Sequence, residues 1–308
     1  MILSASRRTD IPCYYSEWFI NRLNAGYVLT RNPFNHAQLS KIPLSPEVVD
    51  CIVFWTKDAK NILPHLRTID EMDYNYYFQF TLTPYDHIIE KNLRDKADIE
   101  KTFIVLSEQI GKERVIWRYD PIIFNDTLTV AYHKAQFKRL CEKLSPYTEG
   151  VIISFVDVYE KLKTNLIREI TGDEIEELGS FIGKTAREYG LAAKACCEST
   201  DLTVFGIERA SCIDKAAIEK VCGSSLAISS DKNQRDGCGC MESIDIGVYN
   251  TCLNGCVYCY ANDNPATTLR RYNSHNPNSE LLIGTATDGE RITDRKVKAH
   301  RQGQINLF

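Results

Sequence analysis

Apolar, β-branched runs recur along the chain and alternate with segments of helical periodicity. The runs that predict strands are residues 1–6, 51–57, 76–83, 115–121, 151–157, 191–197 and 243–249. Two helix faces are predicted by Phe137, Leu140, Cys141 and Leu144, and by Ile175, Leu178 and Ile182. Strands that alternate with helices predict parallel βαβ units. Six to eight such units fit a TIM-type or partial (β/α) barrel, with a doubly wound sheet as the alternative.

Polar side chains follow the predicted strands where each strand ends. They are Arg7, Arg8 and Asp10 after the first strand, Lys57 after the second, Gln79 on the third, and Arg118 and Asp120 on the fourth. In a barrel of this kind the chemistry takes place at the carboxyl ends of the strands. We therefore expect a polar pocket there, in which Arg118, Asp120 and Lys57 are candidate catalytic residues and Gln79 binds substrate or cofactor.

Length and composition suit one large domain with a small appendage: the chain has 308 residues, 44% of them hydrophobic and 25% charged. No apolar run approaches the ~20 residues that span a membrane, and the first residues lack the order of a signal peptide. A cytoplasmic protein is therefore expected, in which clustered cysteines are more often metal or catalytic sites than disulfides. The net charge of −4 gives no global attraction to nucleic acid.

The most informative cysteines are Cys252, Cys256 and Cys259, in the run Cys-Leu-Asn-Gly-Cys-Val-Tyr-Cys-Tyr-Ala. Thiolates at this C-x3-C-x2-C spacing can hold three irons of a 4Fe-4S cluster and leave the fourth iron without a protein ligand. A zinc knuckle or unrelated thiols are the alternative. Structural zinc prefers four protein ligands in a closed tetrahedral site, which favours the iron–sulfur interpretation.

This spacing, with the aromatic Tyr258 before the third cysteine, resembles the signature of the radical S-adenosylmethionine (SAM) enzymes. The resemblance implies that SAM binds the open iron and that an electron, from a donor such as flavodoxin or ferredoxin, cleaves it to a 5′-deoxyadenosyl radical. It further implies that Arg7 or Arg8 contacts SAM, and we expect a bidentate pair with its carboxylate. Tyr258 matches a position near adenine. The family's usual Gly-Gly-Glu after the second strand is absent.

In most members of that family the cysteine loop follows the first strand, whereas here it lies near the C-terminus. The resemblance therefore implies a circularly permuted barrel, with strand 243–249 beside strand 1–6. The whole chain also resembles a bacterial family known mainly as a domain of unknown function with a C-terminal cysteine cluster. The segments that carry this resemblance are residues 4–12, 54–57, 117–121 and 243–249.

Other cysteines lie upstream of the C-x3-C-x2-C motif. Cys238 and Cys240 form a C-x-C pair, Cys212 precedes them, and Cys197 ends the sixth predicted strand, with Cys196 as the alternative to Cys197. Four thiolates from these places predict a second 4Fe-4S cluster, with zinc as the less favoured content. The remaining cysteines are expected to be small buried hydrophobic residues: Cys13, Cys51, Cys141 and Cys222.

The predicted domain organisation is a barrel over residues 1–283, which includes a Cys-rich region at 196–262, followed by a flexible polar tail at 284–308. The last residues, 304–308, are Gln-Ile-Asn-Leu-Phe, similar to the peptide by which bacterial replication and repair proteins bind the sliding clamp. The cysteine loop also resembles that of spore photoproduct lyase, a radical SAM DNA-repair enzyme. Repair or modification of DNA is therefore the leading expectation, and a small molecule or peptide the next. The alternative function is a non-catalytic iron–sulfur or zinc accessory protein that docks on the clamp.

Three further expectations concern local structure. Residues 262–279 are rich in Asn, Pro and Ser and predict a loop. The charged run 90–101 predicts an exposed helix face. His133 lies in a helical stretch and is expected to be solvated.

Overall fold

A parallel sheet organises the computed structural model, which describes residues 1–32, 35, 37–156, 164–198, 200–234 and 237–302. Its strands in chain order are β1 (Ile2–Ala5), β2 (Tyr27–Arg31), β3 (Gln38–Pro43), β4 (Cys51–Thr56), β5 (Tyr76–Thr81), β6 (Val115–Ile122), β7 (Gly150–Phe155), β8 (Ala192–Ala195), β9 (Glu208–Arg209), β10 (Ile244–Asp245) and β11 (Arg291–Asp294). Each predicted strand corresponds to one of these elements. β2, β3, β9 and β11 are additional.

Within the described ranges, eight strands form the main sheet in the order β10-β1-β4-β5-β6-β7-β8-β9, and all neighbouring pairs are parallel. The predicted α/β class with a large parallel sheet is thus confirmed. The strand that leads into the cysteine loop pairs with the first strand of the chain, with Leu3 opposite Ile244. The two strands therefore deliver their following loops to the same edge of the sheet.

Helices connect most of the strands. They are α1 (Ile11–Tyr14), α2 (Ser16–Ala25), α3 (Leu66–Glu71), α4 (Lys96–Ile110), α5 (Val130–Leu144), α6 (Gly172–Glu188), α7 (Lys215–Cys222) and α8 (Pro265–Asn273). Both predicted helix faces lie on α5 and α6 and pack in the core. None of the helices in the described part of the chain is long and apolar enough to cross a membrane.

α8 lies where the sequence predicts a loop over residues 262–279, and that prediction is wrong for this part. Asn264 accepts a hydrogen bond from the Thr267 N–H as the N-cap, and Pro265 occupies the first helical turn. These residue types also favour turns, so the composition indicated a loop although the same residues begin a helix.

The two faces of the main sheet are covered by different parts of the chain. Residues such as Phe54, Phe78 and Trp117 point to the face that the helices cover. The alternate residues, such as Val53 and Tyr77, pack in a second cluster with side chains from the segment between β8 and β10, among them Cys196, Cys212 and Cys240. Because successive strand residues point to opposite faces, this segment fills the side of the sheet that the connecting helices leave open.

The described part of the predicted tail is attached to the domain. β11 pairs in parallel with β3, which pairs with β2 in a small second sheet. The backbone N–H groups of His300 and Arg301 donate to the Asp50 carboxylate. The expectation of a flexible tail from residue 284 therefore fails for residues 284–302. The exposed strand β11 is held by its backbone, which its polar composition does not reveal. The predicted clamp peptide, 304–308, lies outside the described residues.

His133 is buried, contrary to the expectation that it is solvated. Its Nε2 bonds the Ile123 carbonyl at 2.8 Å and its Nδ1 bonds the Tyr119 hydroxyl at 2.8 Å. A carbonyl only accepts, so Nε2 carries the proton and Nδ1 accepts from the tyrosine. The sequence predicts the helix correctly, but it does not predict that His133 lies on the helix face that packs against the sheet.

Candidate metal and cofactor site

A cavity of about 820 Å³ opens at the carboxyl ends of the main-sheet strands. Eight of the twelve cysteines line it, namely all except Cys13, Cys51, Cys141 and Cys222. They come from the end of β8, the loop after β9 and the segments on both sides of β10. The two predicted cysteine sets, which are separate along the chain, thus face one space.

The motif cysteines lie on a tight loop after β10. The Cys259 N–H donates to the Cys256 carbonyl at 3.1 Å, and Gly255 takes a φ of +66°. A residue with a Cβ adopts this left-handed conformation only at a cost. A Cβ on Gly255 would also approach the Asn92 Nδ2 atom to 2.9 Å. Both the left-handed backbone and the close approach of Asn92 therefore favour glycine at position 255 of the motif.

Asp10, which follows β1, and Asn92, between β5 and α4, hold this loop by hydrogen bonds. Asn254 donates its side-chain N–H to the Asp10 Oδ2 atom at 3.2 Å, and the Lys57 backbone N–H donates to the same oxygen at 2.8 Å. Asn92 donates to the Leu253 carbonyl at 2.7 Å. Burial raises the pKa of Asp10 to about 6, although the hydrogen bonds it accepts, first that of Lys57, favour the charged form. Asp10 thus joins the ends of β1 and β4 to the cysteine loop.

The motif thiols are in a low-dielectric environment. Burial raises the pKa of Cys256 to about 12 against the opposing charge of Lys57, and burial also raises the pKa values of Cys252 and Cys259. A metal replaces the thiol proton, so coordination removes the cost that raises these pKa values. Nearby backbone N–H groups favour the charged form and partly offset burial: that of Asn254 acts on the pKa of Cys252, and those of Ala261 and Asn262 act on the pKa of Cys259.

A buried ion cluster adjoins Cys256. The Lys57 Nζ atom lies 2.8 Å from the Glu90 Oε1 atom and 2.8 Å from the Tyr258 hydroxyl, which itself donates to Glu90. Lys96 pairs with the other carboxylate oxygen. Burial would raise the pKa of Glu90, but Lys57 and then Lys96 lower it to about 2. Burial disfavours the charged form of Lys57 and would lower its pKa. The attraction of Glu90, and then of Cys256, outweighs burial, so the pKa of Lys57 is raised.

The sequence did not identify Glu90, because it begins the charged run that predicts an exposed helix face. It lies before α4, with 1% of its surface exposed. A carboxylate between two lysines is visible only in three dimensions. The predicted residues Lys57 and Tyr258 both line the cavity, and both are oriented by Glu90.

Arg118 and Asp120 form the second charged group of the cavity. Arg118 Nε donates to Asp120 Oδ2 at 2.9 Å, and its Nη2 donates to the same oxygen. Ser154 donates to the other Asp120 oxygen. Arg118 Nη1 lies 3.2 Å from the Cys212 sulfur, and the guanidinium carbon lies 5.3 Å from the Trp55 ring centroid. The predicted pair therefore connects the polar wall of the cavity to the upstream cysteine set.

Gln79 was expected to bind substrate or cofactor, but it lies beneath the cavity and is fully buried. Its Nε2 donates to the Cys212 carbonyl at 2.8 Å, and its Oε1 accepts from Arg118 Nη1 at 3.2 Å. Both ends of the amide are thus used within the protein. Gln79 supports the loop that carries Cys212. The alternation along β5 predicts correctly on which face of the sheet Gln79 lies, but not how deeply it is buried.

Arg7 and Arg8 line the cavity near its mouth. The Arg7 backbone N–H donates to Asp245 Oδ2 at 2.9 Å, which ties the end of β1 to the end of β10. The Arg7 side chain donates to Gln234, and the Arg8 guanidinium lies 5.1 Å from the Tyr249 ring centroid. The structure therefore brings both predicted arginines to the cavity that the cysteine loop lines.

In the upstream set, Cys196 makes the contact expected of Cys197. The Cys196 and Cys212 sulfurs are 3.1 Å apart, and the Ile213 N–H donates to the Cys240 sulfur at 3.4 Å. The neighbouring thiols of Cys196 and Cys240, together with the charge of Arg118, hold the pKa of Cys212 well below its usual value. Cys197 has a φ of +54° and lines the cavity. Neighbouring strand residues point oppositely, and the sequence could not decide which of the two faces the set.

Across the described residues, no group of three or more His, Cys, Asp or Glu is arranged to hold a metal ion. The ligands of a 4Fe-4S cluster bind different irons, so they need not converge on one point. The observations that fit such a cluster are soft thiol donors, backbone N–H groups that favour their charged form, and space beside them in the cavity. On donor chemistry, the motif cysteines fit this group.

Comparisons with known proteins give a family but no activity. No curated protein matches the chain. A solved structure of a candidate alpha-L-fucosidase from Bacteroides thetaiotaomicron aligns with 12% identity over 73% of this chain and 83% of that chain, with a TM-score of 0.27, too low to support an argument. The profile of a family described as a domain of unknown function, DUF1848, matches residues 2–261, which include the main sheet and both cysteine sets. The chain therefore belongs to the DUF1848 family.

Proposed function

We propose that this protein is a radical SAM enzyme with a circularly permuted barrel, in which Cys252, Cys256 and Cys259 hold a 4Fe-4S cluster. With the cluster bound and reduced, SAM cleavage at its open iron supplies a 5′-deoxyadenosyl radical for hydrogen abstraction. The observation that carries the proposal is the common position of the three motif cysteines and the charged strand-end residues around one cavity.

The pairing of β10 with β1 supports the permuted arrangement. The cysteine loop follows β10, and Arg7 and Arg8 follow the adjacent strand β1. In the proposed arrangement β10 takes the place of a first strand and β1 that of a second. The arginines then lie one strand from the cysteine loop, where a guanidinium can pair with the SAM carboxylate in bidentate geometry.

The chain's own residues have separable roles in this proposal. Lys57 supplies a fixed positive charge beside Cys256, and Glu90 keeps this lysine in place. Arg118 and Asp120, which also line the cavity, present polar groups to the substrate. The buried floor beneath them excludes water, which would otherwise compete for polar contacts and quench reactive species.

Nucleic acid is the substrate class that we propose, because the cavity mouth combines cations with exposed aromatic rings. Arg8 lies over Tyr249, whose exposure is 43%, and Tyr260 is 63% exposed. Exposed aromatic rings stack on unpaired bases, and arginines pair with phosphates. Anisotropy titration with single-stranded oligonucleotides tests this. Tyr249→Ala should weaken binding at least several-fold, while Val204→Ala, at an exposed apolar residue outside the cavity wall, should not. Equal affinity of wild type and Tyr249→Ala would refute the proposed surface.

Radical chemistry is tested by anaerobic reconstitution with iron and sulfide, reduction in the presence of SAM, and chromatography for 5′-deoxyadenosine. The wild type should form it and Cys256→Ala should not. Cys141→Ala, in the core face of α5, is the matched control and should retain activity. A reconstituted wild type that binds iron but yields no 5′-deoxyadenosine, with or without oligonucleotide, would contradict the proposal and favour an accessory role. Zinc in place of iron would also contradict it.

A separate titration tests the SAM contacts. Arg7→Ala and Arg8→Ala should each be compared with Arg67→Ala, at an exposed arginine of α3. At least one of the two variants should weaken SAM binding about tenfold, because a bidentate charged pair is lost. Unchanged SAM affinity in both would remove the arginines from the proposal.

A further inference from the structure

We propose that the upstream cysteines form a second iron–sulfur site, with Cys196, Cys212, Cys238 and Cys240 as its protein ligands. This inference does not depend on SAM cleavage, since it concerns a different set of residues. It rests on how the fold gathers these thiols at one wall of the cavity.

The fold brings the four upstream cysteines together. Cys196 follows β8, Cys212 follows β9, and Cys240 precedes β10, yet the Cys196 and Cys212 sulfurs lie 3.1 Å apart and Cys240 packs with both in one buried cluster. Cys238 is partly buried and packs against the same cluster. Four thiols from three separate segments thus form one connected group. Cys141, by contrast, lies among apolar side chains of the main core.

Polar groups surround these thiols and the backbone that carries them. The Ile213 N–H donates to the Cys240 sulfur at 3.4 Å, and Arg118 Nη1 lies 3.2 Å from the Cys212 sulfur. The carbonyl of Cys212 is held by Gln79 at 2.8 Å and by the Tyr77 hydroxyl at 3.1 Å. Hydrogen-bond donors near the sulfurs stabilise metal-bound thiolates. Residues that hold the backbone of the ligands in place are typical of protein metal sites.

Soft thiolate ligands select zinc, copper(I) or iron–sulfur clusters. Zinc ligands typically have a C-x2–4-C spacing, whereas Cys238 and Cys240 are separated only by Gly239. In an iron–sulfur cluster the cysteines bind different irons, so Cys238 and Cys240 need not chelate the same ion. The group also opens to the same cavity as the motif cysteines, which suits electron transfer or substrate contact.

Cys196, and not Cys197, is the ligand in this assignment. Cys196 is the residue that contacts Cys212, whereas Cys197 lines the cavity without that contact. The chain therefore offers a matched pair of single variants at adjacent positions. Cys196→Ala should lower the iron content, and Cys197→Ala should leave it unchanged.

The test removes the motif ligands and measures what remains. The triple variant Cys252→Ala/Cys256→Ala/Cys259→Ala is reconstituted anaerobically, and its iron, sulfide and zinc are determined alongside electron paramagnetic resonance of the reduced protein. Two clusters in the wild type correspond to about eight irons, and the variant should retain about four. The reciprocal variant, Cys196→Ala/Cys212→Ala/Cys240→Ala, should also retain about four.

A folded motif-deficient variant without iron would overturn the second site, and one that holds zinc would overturn its iron–sulfur content. Circular dichroism establishes that the variant is folded. If the triple motif variant itself fails to fold, Cys196→Ala against Cys197→Ala in the otherwise native chain decides, and equal iron contents overturn the assignment. Because the motif-deficient variant cannot support the proposed SAM cleavage, its iron content does not depend on whether that function is correct.

Discussion

Asn254, in the middle of the cysteine loop, donates a hydrogen bond of 3.2 Å to the carboxylate of Asp10, which follows the first strand. The two residues are 244 positions apart in a chain of 308. Asp10 also accepts from the Cys13 N–H at 3.0 Å as the N-cap of α1, and from the Lys57 N–H. One buried carboxylate thus connects the N-terminal helix, the end of β4 and the candidate cluster loop.

Asp10→Ala should loosen this connection. The change leaves buried N–H donors without an acceptor, each of which costs about 1–3 kcal/mol. We expect a lower free energy of unfolding in urea at pH 7 and a lower iron content after reconstitution. Glu71→Ala removes an exposed carboxylate and should change neither quantity measurably. An Asp10→Ala protein with wild-type stability and iron content would show that the loop does not depend on this carboxylate.

Glu90→Ala should be among the most destabilising single changes near the site. It leaves Lys57 and Lys96 without their shared buried carboxylate, and an unpaired buried charge typically costs about 3–5 kcal/mol. Glu100→Ala is the matched control: Glu100 also pairs with two cations, but those of Arg139 and Lys143 are partly exposed and can be hydrated.

The free energies of unfolding of these variants give the comparison. We expect a loss of about 1 kcal/mol or less for the ion pairs of the Glu100 variant. Adding Lys96→Met to Glu90→Ala should recover part of the loss, because it removes one of the two unpaired charges. Equal losses for the two glutamates, or no recovery in the double variant, would contradict the role assigned to Glu90.

His133 should make folding sensitive to mild acid. Burial lowers its pKa from 6.5 to about 4, although the hydrogen bond to Ile123 opposes this shift. The unfolded chain then binds a proton as the pH falls below about 6.5 while the folded protein does not. This contribution to stability is full above that pH and is lost as the pH falls towards 4, by up to about 3 kcal/mol.

Urea unfolding at pH 7, 6 and 5 measures this effect as the difference between wild type and His133→Gln. The variant retains a donor for the Ile123 carbonyl but does not titrate, so the difference should shrink as the pH falls. His87→Gln, at an exposed histidine, should follow the wild type at each pH. A difference between wild type and His133→Gln that is independent of pH would contradict the assignment of a neutral buried imidazole.

Gly255→Ala should impair the cysteine loop more than conformational strain alone predicts. Gly255 and Gly26 both have left-handed φ values, +66° and +74°, and an alanine there costs about 1–2 kcal/mol. A Cβ at Gly26 meets no atom within 4 Å, whereas one at Gly255 meets Asn92 Nδ2 at 2.9 Å. Asn92 cannot move aside without losing its bond to the Leu253 carbonyl.

Unfolding and iron content after reconstitution separate the two effects. Gly26→Ala should lose only stability, because it lies after α2 and outside the cavity wall. Gly255→Ala should lose more stability and also iron. Normal iron content in Gly255→Ala would show that the loop tolerates the shift.

Most of the parallel sheet could be predicted from the sequence, because buried parallel strands are continuous apolar runs and the helices between them keep a 3.6-residue period. The additional strands were not predictable in the same way. β9 has only two residues, and β11 is exposed along its length. Such strands are held by backbone hydrogen bonds, which any side chain permits.

The sequence by itself determined the class of fold, the cysteines proposed as metal ligands and the polar residues at the strand ends, because these follow from residue type, spacing and period. Only the tertiary structure decided which of them meet. It brought Cys212 to Cys196 and not to Cys197, placed Gln79 beneath the cavity and put Glu90 between two lysines. These contacts join residues from different strands, and their formation depends on sheet order and side-chain depth, which no local pattern encodes.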